Sequence, residues 1–232
     1  MKNYFSQFGP LYILTAALFV LLTSAGSRAV TVLAENAPIV RQNIIIIDAG
    51  HGGEDGGATS YTGKLESNIN LEIAKKLNEL CHLLGYDARM IRTTDVSVYT
   101  EGSTIAEKKV SDLRRRVQIV NNTENAILIS IHQNTFSDSR YSGAQVFYAN
   151  TAGSRELAER LQIRLSIINP GSKRRIKPAD NVYLMQHINK PGVLIECGFI
   201  SNPEEEAKLL SADYQNKLCS VIATTLSYHL NT

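Results

Sequence analysis

The chain has 232 residues, of which 44% are hydrophobic and 20% are charged, and its formal net charge is +2. This composition is ordinary for a globular protein. A net charge this small, without a basic helix or an interleaved aromatic platform, excludes a nucleic-acid partner from the expected functions. About 195 residues follow the N-terminal segment, which is enough for one domain. A domain of that size buries roughly 70% of its unfolded surface and needs no disulfides to fold.

The first 34 residues contain an apolar run, Leu11–Leu22, which is preceded by Lys2 and followed by small residues. A positive start, a short apolar core and small residues are typical of a secretory signal peptide. The same run, extended towards Phe8, would also suit a retained membrane anchor, although its strictly apolar part is shorter than the roughly 20 residues of a spanning helix. Both alternatives stay open. In either case residues 35–232 are predicted to form one domain outside the cytoplasmic membrane.

The predicted elements alternate between strands and helices along the chain. The predicted strands are Ile44–Ile47, Tyr86–Arg92, Ala126–His132, Gln145–Tyr148, a short candidate at Val182–Met185, and Gly192–Glu196. Apolar residues at helical spacing predict helices around residues 69–84, 110–120, 157–168 and 213–229. Alternation of this kind indicates an α/β fold with a mostly parallel, twisted sheet flanked by helices in a single domain.

Two helix starts are marked by capping residues. Ser67 is the expected cap of the first long helix, which ends at Gly85. Asn202-Pro203-Glu204-Glu205 combines a cap, a proline at the first helical position and acids in the first turn.

The three cysteines are Cys81, Cys197 and Cys219, and an odd number in an exported protein leaves at least one thiol free. Cys81 and Cys219 lie in predicted helices among apolar neighbours, so we interpret them as small core residues. No CxxC spacing indicates a zinc site built from cysteines.

Three predicted strands lead into residues that bind metals or transfer protons: His51, His132 and Glu196. Glu66 precedes the first long helix, and glycines cluster after His51, where the backbone must turn tightly. Ligands of open α/β sheets collect at the carboxyl ends of strands. Each residue alone has an ordinary structural role, but together two imidazoles and a carboxylate can hold zinc with one position open for water. A second carboxylate can then transfer protons.

Four segments carry a resemblance to a known family. They are IIDAGHGGEDGG at 46–57, GKLE at 63–66 followed by Asn70-Leu71, SIHQN at 130–134, and VLIECGFISN at 193–202. Their sequences and order resemble the motifs of zinc-dependent N-acetylmuramoyl-L-alanine amidases, over about residues 44–230. The resemblance implies hydrolysis of the amide between the lactyl group of muramic acid and the L-alanine of the peptidoglycan stem peptide. It also implies one Zn²⁺ per chain, with His51, Glu66 and His132 as ligands and Glu196 as the catalytic acid/base.

Within that family the chain is similar to the germination-specific, sporulation-associated, CwlD-like group. The segments that carry this similarity are KVSDLR at 109–114, GAQVFY at 143–148 and ECGF at 196–199. The similarity implies a role in maturation of the spore cortex, where removal of the peptide permits formation of muramic-δ-lactam. It further implies peptidoglycan as the partner and a location in the space around the developing forespore. Membrane association through the N-terminal segment and the need for an activating protein partner stay open.

Four further residues have two interpretations each. Asp48 either accepts a hydrogen bond from His51 as a supporting partner or caps the turn. Asn134 either orients the substrate or braces His132. The basic run 173–177 is either a solvated surface or a binding surface for the carboxylates of the stem peptide. Within this run, Arg175 and Lys177 are the candidates for substrate binding, since the family has an Arg/Lys pair there.

Two other functions remain as alternatives. A zinc carboxypeptidase or peptidase on a similar scaffold would cut within the stem peptide and release free amino acids. A homologue that binds peptidoglycan without catalysis is disfavoured, because the four proposed catalytic and ligand residues are all present.

Overall fold

The computed structural model describes residues 43–231, and the predicted signal peptide or anchor at residues 1–34 lies outside them. Six strands form one sheet: β1 Ile44–Ala49, β2 Asp87–Met90, β3 Ala126–Asn134, β4 Gln145–Tyr148, β5 Lys177–Pro178 and β6 Gly192–Phe199. The helices are α1 Glu66–Leu83, α2 Ile105–Asn122, α3 Ser154–Ile168, α4 Tyr183–His187, α5 Pro203–Leu209 and α6 Ala212–Leu230. The predicted α/β fold is confirmed.

The sheet has the strand order β2-β1-β3-β6-β4-β5. Strands β2, β1, β3 and β6 run parallel, whereas β4 runs antiparallel to β6. The central strands are almost entirely buried, because helices cover both faces, and their near-continuous runs of isoleucine, leucine and valine suit that position. The carboxyl ends of β1, β3 and β6 therefore lie side by side at one edge.

Two hydrophobic cores separate the helices from the sheet. On one face, α1, α3 and α6 pack on alternate residues of the central strands, such as Ile47, Ile129 and Ile195. On the other face, α2 and α4 pack on the intervening residues, such as Ile46 and Leu128. The domain is thus a three-layer α/β/α arrangement.

The predicted strand at Val182–Met185 is wrong, since this segment lies at the start of the short helix α4. Leu184, Met185 and Ile188 are buried together, and their spacing is that of a helix face and not the alternation of a strand. The helix follows a turn in which the Val182 amide donates to the Ala179 carbonyl.

The predicted cap at Ser67 is also wrong, because the N-cap position lies two residues earlier, at Leu65, and has no side-chain cap. Backbone carbonyls of the preceding loop replace the cap. The Glu66 amide donates to the Ala58 carbonyl and the Ser67 amide donates to the Gly56 carbonyl. By contrast, the predicted cap at Asn202 is confirmed, and its side chain accepts from the amides of Glu204 and Glu205.

All three cysteines are buried and free, as expected of core residues. Within residues 43–231, no helix combines the length and the apolar character that crossing a membrane requires.

Candidate metal and catalytic centre

Four acid or imidazole side chains meet at the edge where β1, β3 and β6 end. His51 follows β1 by two residues, His132 lies near the end of β3, and Glu196 is its direct neighbour on β6. Glu66 is the first residue of α1, which packs against β1 and β3. The parallel strands therefore bring together residues that are up to 145 positions apart in the chain.

His51, Glu66 and His132 form a cluster that could hold a metal ion, since one ligand atom from each lies within 4.8 Å of the others. Nε2 of His51 is 3.3 Å from Oε2 of Glu66, and Nδ1 of His132 is 3.1 Å from Oε1 of the same carboxylate. The imidazole centroids are 5.0 Å apart. Glu66 is buried, whereas both histidines keep about a fifth of their side chains exposed, at 22% and 19%. The cluster is thus open to solvent on the histidine side.

The side chain that orients His51 is Asp55 and not Asp48. Nδ1 of His51 lies 2.9 Å from Oδ2 of Asp55, which leaves Nε2 directed towards Glu66. The prediction that Asp48 accepts a hydrogen bond from His51 is wrong, because Asp48 is paired in register with Ser130 and faces α2. There it binds the guanidinium of Arg116.

The Glu66 carboxylate is fixed by three donors from different parts of the chain. The amides of Ala58 and Gln133 donate to it at 3.0 and 3.1 Å, and Nδ2 of Asn70 donates at 3.2 Å. Burial alone would raise the pKa of Glu66, but hydrogen bonds and charge interactions with His132 and His51 outweigh burial and lower the pKa to well below its usual value. Glu66 is therefore ionised and rigid, as a ligand carboxylate must be.

Glu196 has a different environment from Glu66. Its Oε2 atom is buried and has no hydrogen-bond partner within residues 43–231. Burial, together with the negative charge of Glu66, raises the pKa of Glu196 to about 7, although the charges of the two histidines lower it. The pKa values of the two carboxylates are thus shifted in opposite directions. Glu66 is held in its charged form, whereas Glu196 can take up and release a proton near neutrality.

Two glycines are needed for the clustered side chains to fit. A Cβ atom on Gly50 would lie only 2.2 Å from the His132 ring, and one on Gly57 would lie 2.7 Å from both Oε2 of Glu66 and the His51 ring. His51 itself has a positive φ of 61°, a left-handed conformation that costs a non-glycine residue roughly 1–2 kcal/mol. The loop between β1 and α1 is therefore shaped around the cluster.

The candidate substrate-binding residues are not members of the cluster. The Asn134 carbonyl accepts from the Ile200 amide, and no hydrogen bond joins its side chain to His132 in the described part of the chain. Arg175 and Lys177 have exposed side chains at the β5 edge, two strands away from Glu196. Their substrate-binding roles stay predictions.

The sequence-based prediction missed the residues that hold the ligand loops in place. Asn70 and Gln133 lie inside recognised motifs, and their side chains bind each other at 3.1 Å behind Glu66. Two buried arginines, Arg92 and Arg116, bind backbone carbonyls of the loop after β1. Nothing in the sequence distinguishes these arginines from the many exposed ones, since a solvated charge is the usual role of an arginine.

A family model described as N-acetylmuramoyl-L-alanine amidase matches residues 45–228, which include all four clustered side chains. The chain belongs to this amidase family. The "Germination-specific N-acetylmuramoyl-L-alanine amidase" of Bacillus subtilis is 39% identical over 182 residues, which cover 77% of this chain and 76% of that relative.

Solved structures of the amidase family agree with the sequence comparison. A CwlD amidase from Clostridioides difficile, determined in complex with the GerS lipoprotein, is 37% identical with a TM-score of 0.78, covering 82% of this chain and 99% of that one. An N-acetylmuramoyl-L-alanine amidase from Clostridium difficile is 31% identical with a TM-score of 0.71, covering 82% and 98%. The amidase fold thus extends over nearly the whole of each relative.

Proposed function

We propose that this protein is a zinc-dependent N-acetylmuramoyl-L-alanine amidase, which hydrolyses the amide between the lactyl group of muramic acid and L-alanine. The observation that carries the proposal is the cluster of two imidazoles and one carboxylate within 4.8 Å, beside the buried carboxylate of Glu196. Membership of the amidase family supplies the substrate.

The donor set suits zinc. Two imidazole nitrogens and one carboxylate oxygen, from His51, His132 and Glu66, are a ligand combination of catalytic zinc sites, which keep a fourth position open. Glu66 is ionised, and Asp55 occupies the far nitrogen of His51 so that the near one is available. When bound, zinc would act as a Lewis acid and favour ionisation of a water molecule near neutral pH.

Glu196 is the proposed acid/base of the reaction. Its carboxylate would accept the proton of the attacking water and return it to the departing amine of L-alanine. Its position within β6, paired with β3 on one side and β4 on the other, fixes its backbone. The raised pKa of Glu196, about 7, suits both proton transfers at neutral pH. Glu66 cannot share this role, because its pKa is held well below its usual value.

The biological setting is proposed from the relatives. The similarity to a germination-specific amidase and to a CwlD amidase supports a role in spore cortex maturation, with peptidoglycan as substrate. That CwlD was determined with a lipoprotein, which supports an activating protein partner for this chain as well. Export by residues 1–34, as a cleaved signal peptide or a retained anchor, would place the domain with its substrate.

Mass spectrometry of digested peptidoglycan tests the proposed reaction. Purified protein supplied with zinc should release peptides that begin with L-alanine and leave glycan strands with free lactyl carboxylates. Protein stripped with a chelator should release none, and added zinc should restore release. Free amino acids without separation of sugar from peptide would indicate a peptidase instead, and binding without any product would indicate an inactive homologue.

A further inference from the structure

The loop that carries His51 is held by a buried arginine from the opposite helix. Arg116 of α2 is only 2% exposed. Its guanidinium donates to the carbonyl of Ala49 at 3.0 Å and to the carbonyl of His51 at 2.8 Å. A second arginine, Arg92, binds the carbonyls of Ala49 and Gly50 and does not extend to His51. Among the described hydrogen bonds, the His51 carbonyl thus accepts from Arg116.

The carbonyl of His51 matters because its backbone conformation is unfavourable. A φ of 61° is rare for a residue with a side chain, and such a conformation persists only where the surroundings enforce it. Relaxation of that φ would swing the imidazole away from Glu66. The bond from Arg116 to the carbonyl opposes this relaxation.

Arg116 is itself fixed by two carboxylates. Asp48 of β1 binds its Nη1 atom, and Asp112, one turn earlier on α2, accepts from its Nε atom at 2.6 Å. Asp48 also accepts from the Ser130 hydroxyl at 2.7 Å, and Ser130 precedes His132 by two residues on β3. One buried network therefore connects the backbones that present His51 and His132.

We infer that Arg116, held by Asp48 and Asp112, is a positioning residue that presents His51 to the metal through its backbone carbonyl. The inference rests on the proposed metal binding by His51, Glu66 and His132. The planar guanidinium is required, because its nitrogens bind in different places: Nε binds Asp112, Nη1 binds Asp48 and the Ala49 carbonyl, and Nη2 binds the His51 carbonyl. A lysine has one ammonium nitrogen and cannot occupy all of these positions. The role differs from that of Asp55, which orients the same imidazole through its ring nitrogen.

Arg116→Lys tests the role because it keeps the charge and removes the fork. The measurement is zinc affinity of the metal-free protein by competition with a chelator, at a temperature where circular dichroism shows each protein folded. Loss of a partner that orients a metal ligand typically costs about 10- to 100-fold in affinity, and this is the expected loss. The absorption spectrum of the cobalt-substituted variant should also change, because the ligand geometry is altered.

Gln215→Leu is the matched control for a purely structural effect. Gln215 is likewise buried, and it donates to the Leu209 carbonyl beside α6, outside the cluster. This variant should unfold at a lower temperature but keep zinc affinity and the cobalt spectrum of the wild type. Equal zinc affinity in Arg116→Lys and wild type would overturn the inference while leaving the proposed function intact. Absence of zinc binding in the wild type would overturn both.

A milder variant covers the case in which Arg116→Lys does not fold. Asp112→Asn preserves the shape of the side chain and removes the charge that holds Nε of Arg116. Asp112 is 13% exposed, so this substitution is better tolerated than one at a fully buried position. Zinc affinity should fall in the same direction by a smaller factor, and unchanged affinity would contradict the role of Arg116.

Discussion

At the scale of single residues, substitutions of the two glutamates of the site should have different effects. Substitution of Glu196 should affect proton transfer, and substitution of Glu66 should affect zinc binding. Glu196→Gln keeps the shape of the side chain but cannot accept a proton. We expect the variant to retain its zinc and to release L-alanine-terminated peptides about 10²- to 10⁴-fold more slowly, which is the usual contribution of general acid–base catalysis. Metal analysis and product release are measured on the same preparation.

Glu159→Gln makes the same chemical change on the exposed surface of α3 and should leave both quantities unchanged. If Glu196→Gln lost its zinc, Glu196 would be a ligand. If it turned over normally, the proton transfer would belong to another group.

Glu66→Ala should instead act on zinc binding, and its effect on the reaction should follow from the loss of the metal. The variant removes one of the three proposed ligands, so affinity should fall by more than the roughly 10- to 100-fold cost of losing a supporting residue. Glu206→Ala is the control, since Glu206 is a buried carboxylate that accepts from Thr62 outside the cluster. Stoichiometric zinc with wild-type affinity in Glu66→Ala would exclude Glu66 as a ligand.

The sequence allowed the clustered residues to be predicted because each stands at a recognisable place. His51, His132 and Glu196 each come after a run of apolar residues in a central strand, and parallel strands bring such positions to one edge. The partner of His51 was predicted wrongly because it depends on side-chain direction. Asp48 lies on the strand and points to α2, whereas Asp55 returns to the imidazole through a turn of the glycine-rich loop.

At the scale of secondary-structure elements, the start of α2 offers a separable contribution to stability. Thr104 and Glu107 form a capping box, in which the Thr104 hydroxyl accepts from the Glu107 amide and the Glu107 carboxylate accepts from the Thr104 amide. Thr104→Ala should lower the free energy of unfolding by about 1 kcal/mol, measured by urea denaturation.

Thr224→Ala is the matched control for this prediction. Thr224 is also exposed but lies within α6, where its hydroxyl bonds to the Ser220 carbonyl of its own helix. Alanine has the higher helix propensity, so this change should be neutral or slightly stabilising. Equal losses of stability in the two variants would mean that the capping box contributes nothing specific.

Elements with long apolar patterns were predicted well, and short ones were not. The β-branched run Ile44–Ile47 favours a strand, and the periodic apolar residues of α1 favour a helix. The segment around Tyr183 has only a few apolar residues, whose pattern fits a strand or a helical turn equally. Its helical conformation depends on contacts with the core beneath it. The antiparallel direction of β4 likewise depends on the path of its connections, which residue patterns do not encode.

At the scale of the whole molecule, the catalytic domain should be independent of the N-terminal segment. The family match begins at residue 45 and β1 begins at Ile44. Deletion of residues 1–34 should therefore yield soluble, folded and active protein in the cytoplasm of an expression host. Gel filtration checks solubility, circular dichroism checks folding, and peptide release checks activity. Insoluble product that regains its fold only when the segment is restored would make the segment part of the domain.

The burial of every thiol has a practical consequence. Cys81, Cys197 and Cys219 lie on α1, β6 and α6 and are at most 2% exposed. Burial raises the pKa of Cys81 to about 11 and that of Cys219 to about 12, so the reactive thiolate is scarce as well as inaccessible. An alkylating reagent can thus modify these residues only when the domain opens. The three cysteines all belong to the core between the sheet and the layer of α1, α3 and α6. The mass added per chain over time would therefore report how often that side of the domain opens.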